Sequence, residues 1–234
     1  MLDFSEQFIL RESDFNCYGN IRVSSILDFF QTVAANHAER IGMGFEAMKK
    51  KGIAWVITKT KLDIFEPLKS GELITVRTVP HPKGLLDYTR DYFIYRNGIL
   101  VVKGSSQWVH IDFKLRKIVR PTCDYNDDFV DEFAYDNPRI EKIAPFENDN
   151  LFSFTPTLAD TDHNGHINNT KYADMIFCAN EGETRLPKQV VMNFVAETFC
   201  KQPLQIFVDK PTKNQTLFCA KKESTVLFSC RIDY

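Results

Sequence analysis

The sequence carries no marked excess of either charge: 29 Lys and Arg stand against 31 Asp and Glu, leaving a net charge of −2 and a pI near 6.2. A surface that neutralises phosphates needs a basic excess, which argues against nucleic acid as a partner. No apolar run reaches the roughly 18 residues of a membrane span, and Met1-Leu2-Asp3-Phe4-Ser5-Glu6 has no basic stretch leading into an apolar one. The expectation is a cytoplasmic protein with no membrane span. Cysteine is scattered: Cys17, Cys123, Cys178, Cys200, Cys219 and Cys230 form no CxxC pair, which gives no support to a disulfide framework or a zinc site. They read as reduced, mostly buried thiols, Cys200 being an alternative nucleophile because acidic residues and histidines lie near it in the chain. What the chain has in quantity is phenylalanine, 20 residues, enough for an aromatic core or a lined apolar cavity.

Hydrophobic periodicity predicts a strand over 4–12 and a helix from Val23 to Arg40, in which Ile26, Leu27, Phe30, Val33, Ala34 and His37 recur at helical spacing. His37 reads as a core or cavity-wall histidine. Strands follow over 53–66, 72–80, 86–97 and 99–113, with Asn97-Gly98 as a hairpin turn. The second half has the same order: a strand over 149–158, a helix from Asn169 to Asn180, then strands over 189–198, 203–209, 215–222 and 225–232. An offset of 146 residues lays Asn16-Cys17-Tyr18-Gly19-Asn20-Ile21-Arg22-Val23 on Asp162-His163-Asn164-Gly165-His166-Ile167-Asn168-Asn169, aligning Gly19 with Gly165, Ile21 with Ile167 and, further on, Asp28 with Asp174. This is the pattern of an internal duplication. The expected architecture is α+β: two tandem domains, residues 1–120 and 148–234, each a mostly antiparallel sheet wrapped around a central helix, joined by a Pro- and Asp-rich linker over 121–147.

The pattern Asp162-x-Asn164-x-His166-x-Asn168-Asn169-x-x-Tyr172 resembles the signature of the fatty acyl-acyl-carrier-protein thioesterases of plants and bacteria, proteins with a tandem hotdog fold. Phe194-Val195-Ala196-Glu197 is similar to that family's strand segment ending in an acidic residue. The likeness continues through Gln31-Thr32-Val33-Ala34-Ala35-Asn36-His37, Ile53-Ala54-Trp55-Val56-Ile57-Thr58 and Ser105-Ser106-Gln107-Trp108-Val109, so it covers nearly the whole chain. Plant members often have cysteine where Thr198 stands, and its absence argues against a cysteine nucleophile. No plant-type targeting extension is seen, which fits a bacterial-style protein. The resemblance implies an enzyme that hydrolyses the acyl-acyl-carrier-protein thioester, releasing free fatty acid and terminating chain elongation in fatty acid biosynthesis. It implies acyl-carrier protein carrying a fatty acyl chain as partner, implies no cofactor, and allows a homodimer. An acyl-coenzyme A thioesterase and a non-catalytic acyl-chain binding protein are the alternatives. A hotdog dehydratase would place a different His and acid pair on the helix, and no such pattern is present.

Thioester hydrolysis requires a nucleophile or an activated water, and donors for the oxyanion that develops. By resemblance Asp162 is either the base or a direct carboxylate nucleophile. Asn164 and His166 then orient the thioester or polarise its carbonyl, and Glu197 holds the attacking water or tunes His166. Residues two apart on an extended chain point the same way, so Asp162, Asn164 and His166 are expected to face one pocket and His163 to face away. The backbone amides of Ile167 to Asn169, at the start of a helix, are expected to form the oxyanion site. The first half has Asn16, Tyr18 and Asn20 at the equivalent positions, so one active site per chain is expected. The first domain would then hold the acyl chain, along Phe29, Phe30, Trp55, Ile57 and Trp108. Acyl-carrier protein is acidic, so Lys171, Arg185 and Lys188, or the run Lys49-Lys50-Lys51, form the expected docking face.

Overall fold

Eighteen residues without glycine or proline, Val23–Arg40, form helix α1, and Ile26, Phe30, Val33 and His37 are buried along one stripe of it. Gly42, at φ 72°, follows in the left-handed conformation that ends helices and that side chains resist. The computed structural model describes residues 4–121, 133–162 and 165–234. A six-residue helix α2 (Phe45–Lys50) comes next, too short for periodicity to reveal. The first unit is completed by β1 (Phe4–Ile9), β2 (Ile53–Ile64), β3 (Leu73–Pro80), β4 (Tyr88–Arg96), β5 (Ile99–Asp112) and the two-residue β6 (Ile118–Val119). The second comprises β7 (Leu151–Phe154), α3 (Asn169–Ala179), β8 (Gln189–Phe194), β9 (Leu204–Thr212), β10 (Gln215–Lys222) and β11 (Thr225–Asp233). The strand expected over 149–158 is thus shorter, and β8 stops four residues before its expected end at 198.

The described strands form one antiparallel sheet in the order β1-β3-β4-β5-β2-β8-β11-β10-β9-β7, with β6 on β5. The second half of that order is the first read backwards, strand for strand, as a two-fold axis through the seam requires. The seam is β2 against β8, from Lys59↔Asn193 to Asp63↔Gln189. The curled sheet and both long helices share one buried core that includes Ile26, Phe30, Tyr172, Ile176, Val190 and Phe228. Asn193 ties the linker across the outer face of the seam, donating to Glu141 O and accepting from Ile143 N–H.

The duplication holds at the level of single hydrogen bonds. Asp14 and Asp160 each accept a backbone N–H from three residues earlier at 2.7 Å, and each gives its carbonyl at 2.9 Å to the residue before the helix. Between them and the helix the chain closes a tight turn twice. Asn16 N–H donates to Asn20 O at 2.9 Å and Asp162 N–H to His166 O at 2.7 Å, with Gly19 and Gly165 at φ 77° and 80°. One of the aligned aspartates also acquires a reason. Ser24 Oγ donates to Asp174 Oδ1 at 2.6 Å and so ties α1 to α3, while at the positions related by the 146-residue offset Thr170 is close enough to influence the Asp28 carboxyl but its buried Oγ1 makes no matching hydrogen bond among the described residues.

Two expectations follow. A Cβ at Gly104 would lie 2.4 Å from the ring of Phe30, which is stacked on Tyr92 with centroids 4.4 Å apart. Gly104→Ala is therefore expected to destabilise the fold by about 1–3 kcal/mol in urea melts, as overpacking does elsewhere. Burial pushes the Asp28 carboxyl up, the Thr170 hydroxyl and Lys171 pull it back, and Asp174 adds to the rise. The folded state then keeps the Asp28 proton to higher pH than the unfolded chain, so this contribution to stability is lost as pH rises through the raised value. Asp28→Asn should melt higher than the native sequence near neutral pH and should lack that part of the decline. An identical pH slope for the two proteins would contradict it.

Candidate functional site

The site is assembled on the second of the two turns. Gly165 N–H donates to Asp162 O at 3.0 Å and His166 N–H to Asp162 Oδ1 at 3.1 Å. The segment is therefore a closed turn and not an extended approach, which corrects the alternation argument. Asp162 and His166 still line one cavity, because the turn folds its two ends together. Asn164 and His163 lie outside the described residues. In the first unit Asn20 N–H donates to Asn16 Oδ1 at the same 3.1 Å. An amide oxygen thus accepts this turn's hydrogen bond at the same distance as a carboxylate does.

Glu197 arrives from the loop after β8, not from the strand itself, since pairing with β11 ends at Phe194. The loop is pinned to the turn by Ile167 N–H donating to Thr198 O at 2.9 Å, and Phe199 packs edge-on to the His166 ring at 5.0 Å. These contacts bring Glu197 Oε1 to 3.7 Å from His166 Nδ1. Beside Glu197 and against the same ring stands Arg116, contributed by the turn between β5 and β6 of the first unit. Its Nη2 lies 3.2 Å from His166 Nε2, and it forms an ion pair with Glu197. A guanidinium only donates, so Nε2 must accept, and the proton of the neutral ring is placed on Nδ1, facing Glu197. Sequence reasoning missed Arg116, which reads as one more cation in the surface run Lys114-Leu115-Arg116-Lys117.

Asp162, His166, Glu197 and Arg116 lie in the wall of a cavity of about 710 Å³ that continues into the first unit past Trp55, Ile57 and Trp108. That volume is in the range of small-molecule sites. The Acyl-ACP thioesterase N-terminal domain matches residues 1–132, and the Acyl-ACP thioesterase C-terminal domain matches residues 143–229. The chain belongs to the acyl-ACP thioesterase family. It is 24% identical over 192 residues to oleoyl-acyl carrier protein thioesterase 1, chloroplastic, of Arabidopsis thaliana, a match covering 73% of this chain and 53% of that one. The chain spans about half the length of the plant relatives it matches. Among solved structures it resembles an acyl-ACP thioesterase from Bacteroides thetaiotaomicron VPI-5482, with TM-score 0.85 and 21% identity over 99% of this chain and 97% of that one. It also resembles the 12:0-ACP thioesterase from Umbellularia californica, with TM-score 0.86 and 18% identity over 100% and 97% of the two chains. These likenesses establish the fold as two hotdog domains in tandem.

Within this acyl-ACP thioesterase fold several expected positions move. Phe29 and Phe30 belong to the core and not to the cavity wall: Phe29 packs on Phe8 at 5.1 Å and Phe30 on Tyr92. Of the three amides expected at the oxyanion site, Ile167 N–H is engaged by Thr198 O and Asn168 N–H by Asp160 O. Only the amide of Asn169, the first helical residue, stays available, while Asn168 caps the helix by accepting from Thr170 N–H at 3.1 Å. Cys200 is free and half-buried but does not line the cavity. Arg185 is held by Glu183 at 2.7 Å and lies over the Tyr234 ring, so its charge is matched locally. His37 is buried behind the cavity lining, not in it, and is bonded to Arg90 at 3.0 Å.

The Arg116 contact makes a spectroscopic prediction. In the native protein, nitrogen chemical shifts of the His166 ring should report one neutral tautomer, protonated at Nδ1. Arg116→Ala should relax this to a mixture, whereas equal tautomer populations in the native protein would show that Arg116 does not set the ring.

Proposed function

We propose that this chain hydrolyses the thioester of a fatty acyl group carried on acyl-carrier protein, releasing free fatty acid and ending chain elongation in fatty acid biosynthesis, and that it does so in the cytoplasm. The observation that carries this reading is the convergence of Asp162, His166 and Glu197 on a cavity with an apolar extension into the neighbouring unit. Family membership and relatives named as acyl-carrier-protein thioesterases support the same reading. No helix among the described residues is long and apolar enough to cross a membrane.

The division of labour assigns residues 1–120 to the acyl chain and 148–234 to the chemistry. Asp162 either takes a proton from a water whose oxygen attacks the carbonyl carbon, or attacks that carbon itself to give a mixed anhydride that water then hydrolyses. The carbonyl oxygen gains negative charge near the Asn169 amide and the α3 N-terminus, the C–S bond breaks, the water's oxygen leaves in the free acid, and a proton from that water is balanced by protonation of the leaving thiolate. His166, with Nε2 toward Arg116, orients the thioester, Asn164 shares that task by resemblance, and Glu197 fixes the Nδ1 side of the ring. Docking of an acidic carrier falls best to Lys49 and Lys50, which are exposed on α2, while Phe45 and Met48 of that helix line the cavity.

Because Asn16 closes the equivalent turn, Asp162→Asn should fold normally yet lose turnover by about 100-fold or more, the scale of a removed acid-base group. Glu197→Gln is expected to lose less. The assay is release of free acid from matched acyl-acyl-carrier-protein and acyl-coenzyme A substrates, with circular dichroism as the folding control. Near-native rates for Asp162→Asn would remove the assignment, and a marked preference for coenzyme A would redirect the substrate class.

A further inference from the structure

The wall of the cavity is not apolar throughout. Arg90, on β4, lines it beside Tyr88 and Trp108 and is only 7% exposed. Its Nη1 donates to His37 Nδ1 at 3.0 Å and to Thr78 Oγ1 at 3.1 Å, and neither acceptor is an anion. Asp91, the next residue in the strand, projects to the other face of the sheet, where it accepts from His81 Nε2 and from Ala134 N–H. Among the described residues no carboxylate pairs with Arg90. A guanidinium carries five N–H donors, so two engaged donors leave capacity for a further acceptor. A buried cation without an anion is costly, and a ligand oxygen in this cavity would relieve that cost.

The position matters as much as the charge. The loop carrying Glu197 leaves β8, and β4 lies three strands away through β2 and β5, roughly 14 Å along the sheet at the ~4.8 Å strand spacing. Between these two polar ends the wall is Trp55, Ile57 and Trp108, with Ala34 and Ala38 of α1 leaving the space open. We infer that Arg90 reads the far end of the bound acyl chain: it turns away a terminal methyl long enough to reach it and binds a chain of that length carrying a distal carboxylate. This rests on the reading that the cavity holds the acyl chain, but it does not depend on hydrolysis. A plain alkyl end would strip solvent from the guanidinium and return nothing, whereas a carboxylate completes a charge-assisted pair with it.

The test is binding to the intact chain of straight-chain alkyl amides of increasing length and the matching monoamides of α,ω-diacids, probes with no thioester to cleave. Both tryptophans of the sequence line the cavity, so their fluorescence reports occupancy. Affinity for plain amides should rise with length and then stop rising, and at that length the diacid monoamide should bind about tenfold tighter or more. Arg90→Met should abolish both the limit and the preference, and Arg90→Lys should retain part of each. If Arg90→Met fails to fold, the series on the native protein decides by itself. Plain amides favoured at every length, or a preference unchanged in folded Arg90→Met, would overturn the inference. Loss of acyl-carrier-protein hydrolysis with these affinities intact would count against the proposed activity alone.

Discussion

Everything at the site depends on the pairing of β2 with β8. Five residue pairs, Lys59↔Asn193 to Asp63↔Gln189, convert two sheets into one and thereby fix where one unit's loops meet the other's. Beyond Asn193 the two strands part, β2 continuing with β5 while the chain after Phe194 turns toward the His166 loop. The cavity lies in that divergence. Hydrogen bonding along the seam holds the wall of one unit against the machinery of the other, and the linker clipped to Asn193 covers its outer face.

The duplication shows where the two halves have kept a common frame and where they differ. Both copies keep the backbone bonds that lead the chain into its helix, and Ser24 of the first helix donates to Asp174 of the second. What differs is the chemistry of the side chains at the two ends of the turn: asparagine against aspartate at its start, each accepting the equivalent backbone N–H, and asparagine against histidine at its end. An acceptor oxygen at the start of the turn satisfies its hydrogen bond in either form, and only the second copy pairs a carboxylate there with an imidazole at the other end. The first copy contributes Arg116 beside His166 and a long stretch of the cavity wall, so the cavity is built from both units.

Much of this was legible in the chain. Both long helices, the order of strands and the doubling follow from local periodicity, because the 3.6- and 2-residue repeats of buried side chains are properties of adjacent positions. Gly19 and Gly165 marked the turns, since a left-handed backbone favours glycine. The alternation argument for Asp162 and His166 reached the right pocket for the wrong reason, as polar turn formers and a polar strand end look alike in sequence. Phe29 and Phe30 were misplaced because an aromatic on a helix stripe looks the same whether it meets a core or a cavity.

The sequence by itself determined the elements, the duplication and the expectation that Asp162 and His166 share one cavity. The tertiary structure alone decided that Arg116 stands at His166 and Glu197, 50 and 81 positions away. It alone decided that two of three helix-entry amides are engaged, and that Arg90 is buried in the cavity wall with no carboxylate partner among the described residues. The physical reason is common to all three. Periodicity and turn chemistry act over a few neighbouring residues, whereas these contacts exist only after strand pairing has closed loops of many tens of residues, and no local pattern specifies which side chains then face one another.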